Sequence, residues 1–236
     1  MSTTAPRLGI VTGLASEARL IAASGAGSSR RITVVCAGAD SARAVQLAED
    51  LVAGGATALL SFGIAGALHP ALDVGDLVLA ESIRSPSGQD HPCHDGWHRS
   101  LYARLNESAS VLRSGAIYGS TETLLTVAQK SQAHAASACL AVDMESHAVA
   151  AVAARAGLPF LALRAIADTA GDALPALAAR AVTAEGKADW QAAVSGLARR
   201  PGDLPSMLRL AGRTRRALAS LKAASRNVEG LFGGFG

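Results

Sequence analysis

The chain has 236 residues, 50% of them hydrophobic and 17% charged, with a net charge of +3. That length fills one well-cored domain and leaves two full domains cramped. Its three cysteines, Cys36, Cys93 and Cys139, include no C-x-x-C pair, which argues against a disulfide framework and a zinc ribbon, and no apolar run reaches the roughly 18 residues of a membrane span.

Residues 1–6 lack the basic and apolar runs of a secretory leader, so a reducing, cytoplasmic setting is expected. Leu8-Gly9-Ile10-Val11-Thr12 reads as a short buried strand stopped by Gly13. A second strand, Ile32 to Cys36, is followed by a helix that Ser41 is expected to cap. It runs to about Val52, with Ala44, Val45, Leu47, Ala48 and Leu51 on its apolar side, and Gly54-Gly55 ends it. Ala58 to Phe62 is a third strand that runs into Gly63-Ile64-Ala65-Gly66, and Asp76 to Ala80 a fourth. Residues 85–98 are rich in turn formers and read as a polar loop. A strand at Gly115 to Tyr118, a helix from Leu124 to about His134 and a short strand at Leu140 to Val142 follow. The spacing then predicts a helix from Glu145 to Ala156, closed by Gly157 and Pro159. Phe160 to Ile166 is a buried strand, helices fill most of 173–224, and Gly230 to Gly236 reads as a frayed tail.

Strands alternating with helices predict an α/β fold: one domain over 1–236, with a central mixed, largely parallel sheet flanked by helices. From Arg199 to Arg226 there are eight basic residues and one acid, so this stretch carries +7 and the remainder −4. It reads as a basic helical C-terminal extension, either a solvated face or a contact for anionic lipid or a partner. Nucleic acid is not expected, because no aromatics interleave with the charges.

In open α/β sheets ligands lie beyond the carboxyl ends of strands. Gly13, Gly63, Met144 and Asp168 all fall just past predicted strand ends, so groups distant in sequence are expected to share one cleft. Within it, Glu145 in Val142-Asp143-Met144-Glu145-Ser146 and Asp168 at the end of Arg164-Ala165-Ile166-Ala167-Asp168 supply two carboxylates. Such a pair suits a sugar held by its hydroxyls while a leaving group is protonated. The structural alternatives are a helix-starting Glu favoured by the helix dipole and a strand-end Asp bonded to nearby backbone.

At these residues the chain resembles the purine nucleoside phosphorylase and methylthioadenosine/S-adenosylhomocysteine nucleosidase superfamily, over most of residues 8–185. Gly9 to Glu17 is similar to its first strand and loop, Phe62 to Leu68 with Val74 to Val78 to its central glycine motif and next strand. Asp143-Met144-Glu145-Ser146 resembles its ribose-binding Met-Glu, and Arg164 to Asp168 its base-binding Asp motif. Residues 141–147 and the stretch from Arg199-Arg200-Pro201 to Leu210 further resemble the hopanoid-associated phosphorylase group, whose members are placed at the loss of adenine from adenosylhopane.

The resemblance implies cleavage of the N-glycosidic bond of a 5′-substituted adenosine. Asp168 would be the general acid toward purine N7, with a raised pKa. Glu17 would orient or deprotonate the attacking water. Glu145 would accept from the ribose hydroxyls with Met144 packed on the sugar, and Gly63, Ile64 and Leu14 would touch substrate. It also implies a homodimer and no cofactor. The phosphorylases' phosphate-binding Arg and Ser are replaced here by Ser61 and Ile64, neither of which offers a charge, so water is favoured over phosphate. Ile64 and Leu14 also make an apolar 5′ channel suited to a hydrocarbon substituent. A phosphate-dependent phosphorylase, a methylthioadenosine/S-adenosylhomocysteine nucleosidase and a non-catalytic nucleoside-binding module stay open as alternatives.

Two features lie outside this scheme. Asp90 to His98 is dense in His and Cys, but its spacing fits no zinc signature; it is expected to be a polar loop over the substrate mouth, with no metal. The basic C-terminal stretch also carries Leu204, Met207, Leu208, Leu210, Leu218 and Leu221, from which peripheral contact with the inner face of a membrane is expected.

Overall fold

A computed structural model of the chain describes residues 6–24, 31–107, 111–180, 183, 185–187 and 201–226. The apolar runs become β1 (Leu8–Thr12), β2 (Ile32–Cys36), β3 (Ala58–Ala67), β4 (Leu77–Arg84), β6 (Leu112–Gly119), β7 (Ala141–Asp143) and β8 (Phe160–Asp168). β5 (Asp90–Pro92) adds a short hairpin partner to β4. The helices are α1 (Ala15–Ala23), α2 (Ser41–Ala53), α3 (Asp95–Asn106), α4 (Val127–Ser137), α5 (Ser146–Ala156) and α6 (Leu204–Ser225).

The fold is an α/β domain on a mixed sheet, eight-stranded among the described residues. β1 lies between β2 and β3 with both pairings parallel, and β8 joins β3 in parallel and β4 antiparallel. Because β4 pairs β6, β6 pairs β7 and β7 returns to β3, five strands close on themselves in a ring. β3 makes that closure possible. It lies along β8 from Leu59 to Gly66, with a register irregularity between Ala65 and Gly66, and at its end Gly66 and Ala67 also pair β7. The glycine motif is therefore strand, not the loop end that the sequence suggests. The bend places Gly66 opposite Asp168.

Several boundaries differ from expectation. Asp40, not Ser41, caps α2: its carboxylate accepts from the Arg43 amide at 3.0 Å. α4 starts three residues late, where Thr126 and Gln129 form a capping box. Part of 173–224 is not α-helical, since Ala176–Arg180 is a 3-10 turn. α6 is no appended tail, because Ala217, Leu221 and Ala224 are buried in the main core. The tail Gly230–Gly236, the span 188–198, and Arg199 and Arg200 of the basic stretch lie outside the described residues.

The segment 85–98 is the largest departure. It is hairpin and helix start, and it sits away from the expected mouth. The His94 amide donates to Phe160 O at 2.9 Å, at the opposite end of β8 from Asp168. His94 caps α3 by accepting from the Trp97 amide at 3.1 Å, and His98 Nε2 lies 2.9 Å from the Ser114 hydroxyl. Trp97 is fully buried, and burial pushes the Cys93 thiol up to about 12, which makes it an inert core residue.

Candidate active site

One cavity of about 470 Å³ gathers the turn after β1 and residues of β3, β7, β8, α1, α4 and α6. Leu14, Glu17, Ile64, Met144, Glu145 and Asp168 all line it. Gly63 does not; it stands behind the wall, where its missing side chain leaves room for others. A Cβ there would sit 2.7 Å from Glu17 Oε2 and 2.8 Å from Arg164 Nη1. Gly13 does line the cavity, and a Cβ on it would lie 2.4 Å from Glu145 Oε1.

Glu17 is the third residue of α1, where a Glu ordinarily reaches back to free amides. Leu14 at the cap position has no acceptor, so the carboxylate takes over. Oε2 accepts from the Gly13 amide at 3.0 Å and the Leu14 amide at 2.8 Å, and Oε1 from the Ile64 amide at 2.9 Å. A carboxylate offers about four lone-pair sites. Three are filled among the described residues, and the fourth, on Oε1, is left for one further donor. Burial pushes the Glu17 carboxyl up, while Arg164 and the three amides pull it back.

Glu145 follows β7 and stands at the cap position of α5, but its side chain makes no capping bond there. Burial pushes its carboxyl up to about 8; Arg164 opposes this, and Asp143 and Glu17 add to it. Arg164 is the charge that lets these acids share a site, and sequence reasoning gave it no role. It projects from the middle of a fully buried strand. Its Nε donates to Asp143 Oδ2, its Nη2 to the Ser61 hydroxyl at 2.6 Å and the Ser146 hydroxyl at 3.0 Å. Nη2 lies 3.7 Å from Glu145 Oε2, and Nη1 is buried without a hydrogen-bond partner. The signal for it was present: an arginine inside a run that must be buried has to be paired.

Ser61 is fully buried, bonded to Arg164 and Ser146 and off the cavity wall, and the Ile64 amide is taken by Glu17. Neither can reach an anion in the cavity. Asp168 lies two residues along β3 from this cluster, about 7 Å at strand rise, through its pairing with Gly66. Burial pushes its carboxyl up, against the pull of Lys130. Lys130, a second residue with no part in the sequence reading, is almost fully buried and ion-paired to Asp168. The wall also carries the apolar side chains of Leu124, Leu174, Met207 and Leu210. Arg213 of α6 pairs with Asp172 at 2.5 Å and fixes that helix over the cavity.

The chain matches the Phosphorylase superfamily over residues 9–199. No curated protein matches it. Among solved structures, it is similar to a mutant of the Helicobacter pylori 5′-methylthioadenosine/S-adenosylhomocysteine nucleosidase with 5′-methylthioadenosine in the active site. That likeness has a TM-score of 0.73 at 15% identity and covers 97% of this chain and 99% of that one. The S-adenosylhomocysteine nucleosidase of Streptococcus pyogenes in complex with 5-methylthiotubericidin gives a TM-score of 0.70 at 18% identity over 97% and 99% of the two chains. Native futalosine hydrolase of Helicobacter pylori gives 0.64 at 20% identity over 70% and 88%. At these identities the likeness is one of fold.

Proposed function

Because this chain belongs to the phosphorylase superfamily, we propose that it hydrolyses the N-glycosidic bond of an adenosine bearing a large apolar 5′ substituent. The substrate of choice is adenosylhopane, cleaved to adenine and ribosylhopane. The observation that carries this reading is the meeting of Glu17, Glu145 and Asp168 on one cavity whose remaining wall is largely apolar.

Each role follows from its surroundings. Breaking the bond leaves positive charge on the ribose and negative charge on the purine. Asp168 serves the purine, as the acid toward N7. Glu145 accepts from the ribose hydroxyls, which favours its ionised form, and Met144 packs on the sugar. Glu17, with one acceptor site free, takes the proton of the attacking water. Holding water and sugar in line supplies much of the rate. A phosphate dianion in the same place would face Glu17 and Glu145 with no free cation beside it on the wall among the described residues: Arg164 lies behind both and Lys130 is engaged at Asp168. Water is therefore the nucleophile.

The start of α6 supports a lipid-linked substrate. Met207 and Leu210 line the cavity, while Leu204 and Leu208 are 47% and 64% exposed beside them. Leu204, Leu208, Ala211, Arg215 and Lys222 recur at helical spacing on one exposed stripe, apolar near the cavity and basic beyond. Peripheral attachment to an anionic surface would present the mouth to a membrane-held 5′ group; no described helix is long and apolar enough to cross a membrane. A homodimer and a cytoplasmic location complete the proposal. The test is incubation with adenosylhopane and with methylthioadenosine, each with and without phosphate, while adenine release is followed. Adenine and a free ribosyl product without phosphate are expected, with adenosylhopane preferred. Exclusive formation of a ribose 1-phosphate product would overturn the hydrolytic reading.

A further inference from the structure

Lys130 is the only cation on the cavity wall among the described residues. It arises from the first turn of α4, where Val127, Ala128 and Gln129 are exposed and Lys130 alone turns inward. Its Nζ donates to Asp168 Oδ2, to Thr169 O at 2.8 Å and to Asp172 O at 3.0 Å. An ammonium has three protons and no acceptor. All three are matched, one to each of these oxygens, so the geometry is that of a charged lysine beside a carboxylate. The other charged groups that bear on Asp168 are Asp172 and Arg213, and they pair with each other.

This resting state is awkward for an acid, since a carboxylate has no proton to give to a purine. The nearest proton that can move is on Lys130 Nζ, because an arginine does not release its own. Resting on the adenosine reading above, we propose that Lys130 is the positioning residue of the acid. It holds Asp168 as a carboxylate until the base is seated, then supplies through Asp168 the proton that reaches purine N7.

The step balances. The Nζ–H bond breaks with its electron pair left on nitrogen, and the proton joins Asp168 Oδ2. A half-turn about the two-fold, broad χ2 of aspartate brings the O–H to the base. That O–H bond breaks as N7 takes the proton, while the electron pair of the C1′–N9 bond moves to the purine, which leaves neutral. Water bonds to C1′ and yields its proton to Glu17. One proton has left Lys130 and one has arrived at Glu17, and solvent restores both after release. Seating the base covers the part of Asp168 that still faces solvent, which penalises the separated charges and not the neutral amine and acid. Burial already pushes the Asp168 carboxyl up, which makes it a better proton acceptor than an exposed aspartate. Lys130, once neutral, still has hydrogens for both carbonyls.

Two leaving groups separate this role from a merely structural one. Adenine leaves with a proton; p-nitrophenolate leaves as an anion. The substrates are methylthioadenosine and the p-nitrophenyl riboside with the same 5′ substituent. Lys130→Met is expected to slow adenine release about 100-fold, the scale of a lost general acid, and to slow nitrophenolate release by far less. Lys130→Arg keeps the charge but not the proton, so adenine release stays low. Equal losses on both substrates, or wild-type adenine release in Lys130→Arg, would overturn the proposal and leave the hydrolase reading standing. A wild-type protein that frees no adenine from methylthioadenosine or adenosylhopane would overturn that reading itself.

Discussion

Replacing Glu145 with glutamine removes an ionisation and keeps the shape of the side chain. Burial is the main cause that pushes the free protein's Glu145 carboxyl from 4.5 to about 8, with Arg164 opposing and Asp143 and Glu17 reinforcing it. A carboxyl raised on folding binds its proton more tightly in the folded chain. Its stabilising contribution is complete below the unfolded value of 4.5 and is lost as the pH rises through about 8. At about 1.4 kcal/mol per pKa unit, the rise from 4.5 to about 8 means that ionising Glu145 destabilises the empty protein by on the order of 5 kcal/mol once the pH is above about 8. For a chain of this length that is on the order of 10 °C in Tm.

The assay is a thermal melt of the ligand-free protein across that range. Wild-type Tm should fall from mildly acid to mildly alkaline pH, and Glu145→Gln should fall much less, so that the variant is the more stable of the two at the alkaline end. Some slope should remain, because burial also pushes Glu17 up; Glu17→Gln in the same chain should flatten it further. The variant should meanwhile lose nucleoside affinity, since glutamine accepts less strongly from ribose hydroxyls. Parallel wild-type and Glu145→Gln curves would refute the claim that this carboxyl is held protonated by burial.

Asp168→Asn should lower kcat for adenine release about 100-fold or more, with a smaller change in KM, as expected for a lost acid; an unchanged rate would remove Asp168 from the chemistry. Gly63→Ala should slow turnover by about tenfold or more through misplacement of Glu17 and Arg164, although Gly63 itself does not line the cavity, and the check is kcat alongside nucleoside affinity. Leu204→Asp with Leu208→Asp should abolish flotation with anionic liposomes and leave methylthioadenosine cleavage intact; wild-type binding that is equal or absent on anionic and neutral liposomes would sink the membrane proposal.

β1 and β8 were the most legible strands because their residues are buried on both faces. β8 reads Phe-Leu-Ala-Leu-Arg-Ala-Ile-Ala-Asp and is buried throughout, so an unbroken apolar run was enough. α3 was hidden for the opposite reason. Its buried residues Trp97, Leu101 and Leu105 recur every fourth position, but they are set among polar residues after a Pro- and Gly-rich stretch. The turn formers dominated the reading and a helix became a loop. α1 was missed because only Glu17 and Ile21 are buried in its nine residues, too little for a period to emerge. The closure of β3 from β8 onto β7 depends on a bend at glycines that sequence treats as the end of a strand.

The two cations of the site show where such legibility ends. Arg164 lies in a run that has to be buried, so its charge is an anomaly that demands a partner, and Asp143 and Glu145 on the neighbouring motif are the available ones. Lys130 is a lysine in Val-Ala-Gln-Lys-Ser-Gln, a segment that any surface helix could carry, and only the fold reveals that it turns inward to Asp168. Together they set the character of the cavity. Arg164 stands behind Glu17 and Glu145, and Lys130 neutralises Asp168. The remaining excess of acid is relieved by the proton that burial holds on Glu145. Of the five carboxylates on the cavity wall among the described residues, Asp143 and Asp168 are ion-paired and Glu145 is pushed toward its neutral form, which reduces the charge that Leu124, Leu174, Met207 and Leu210 share the enclosure with. A hydrocarbon 5′ group and a developing ribosyl cation can then share one enclosure, because the charge that stabilises the cation appears only when the nucleoside's hydroxyls draw Glu145 into its ionised form.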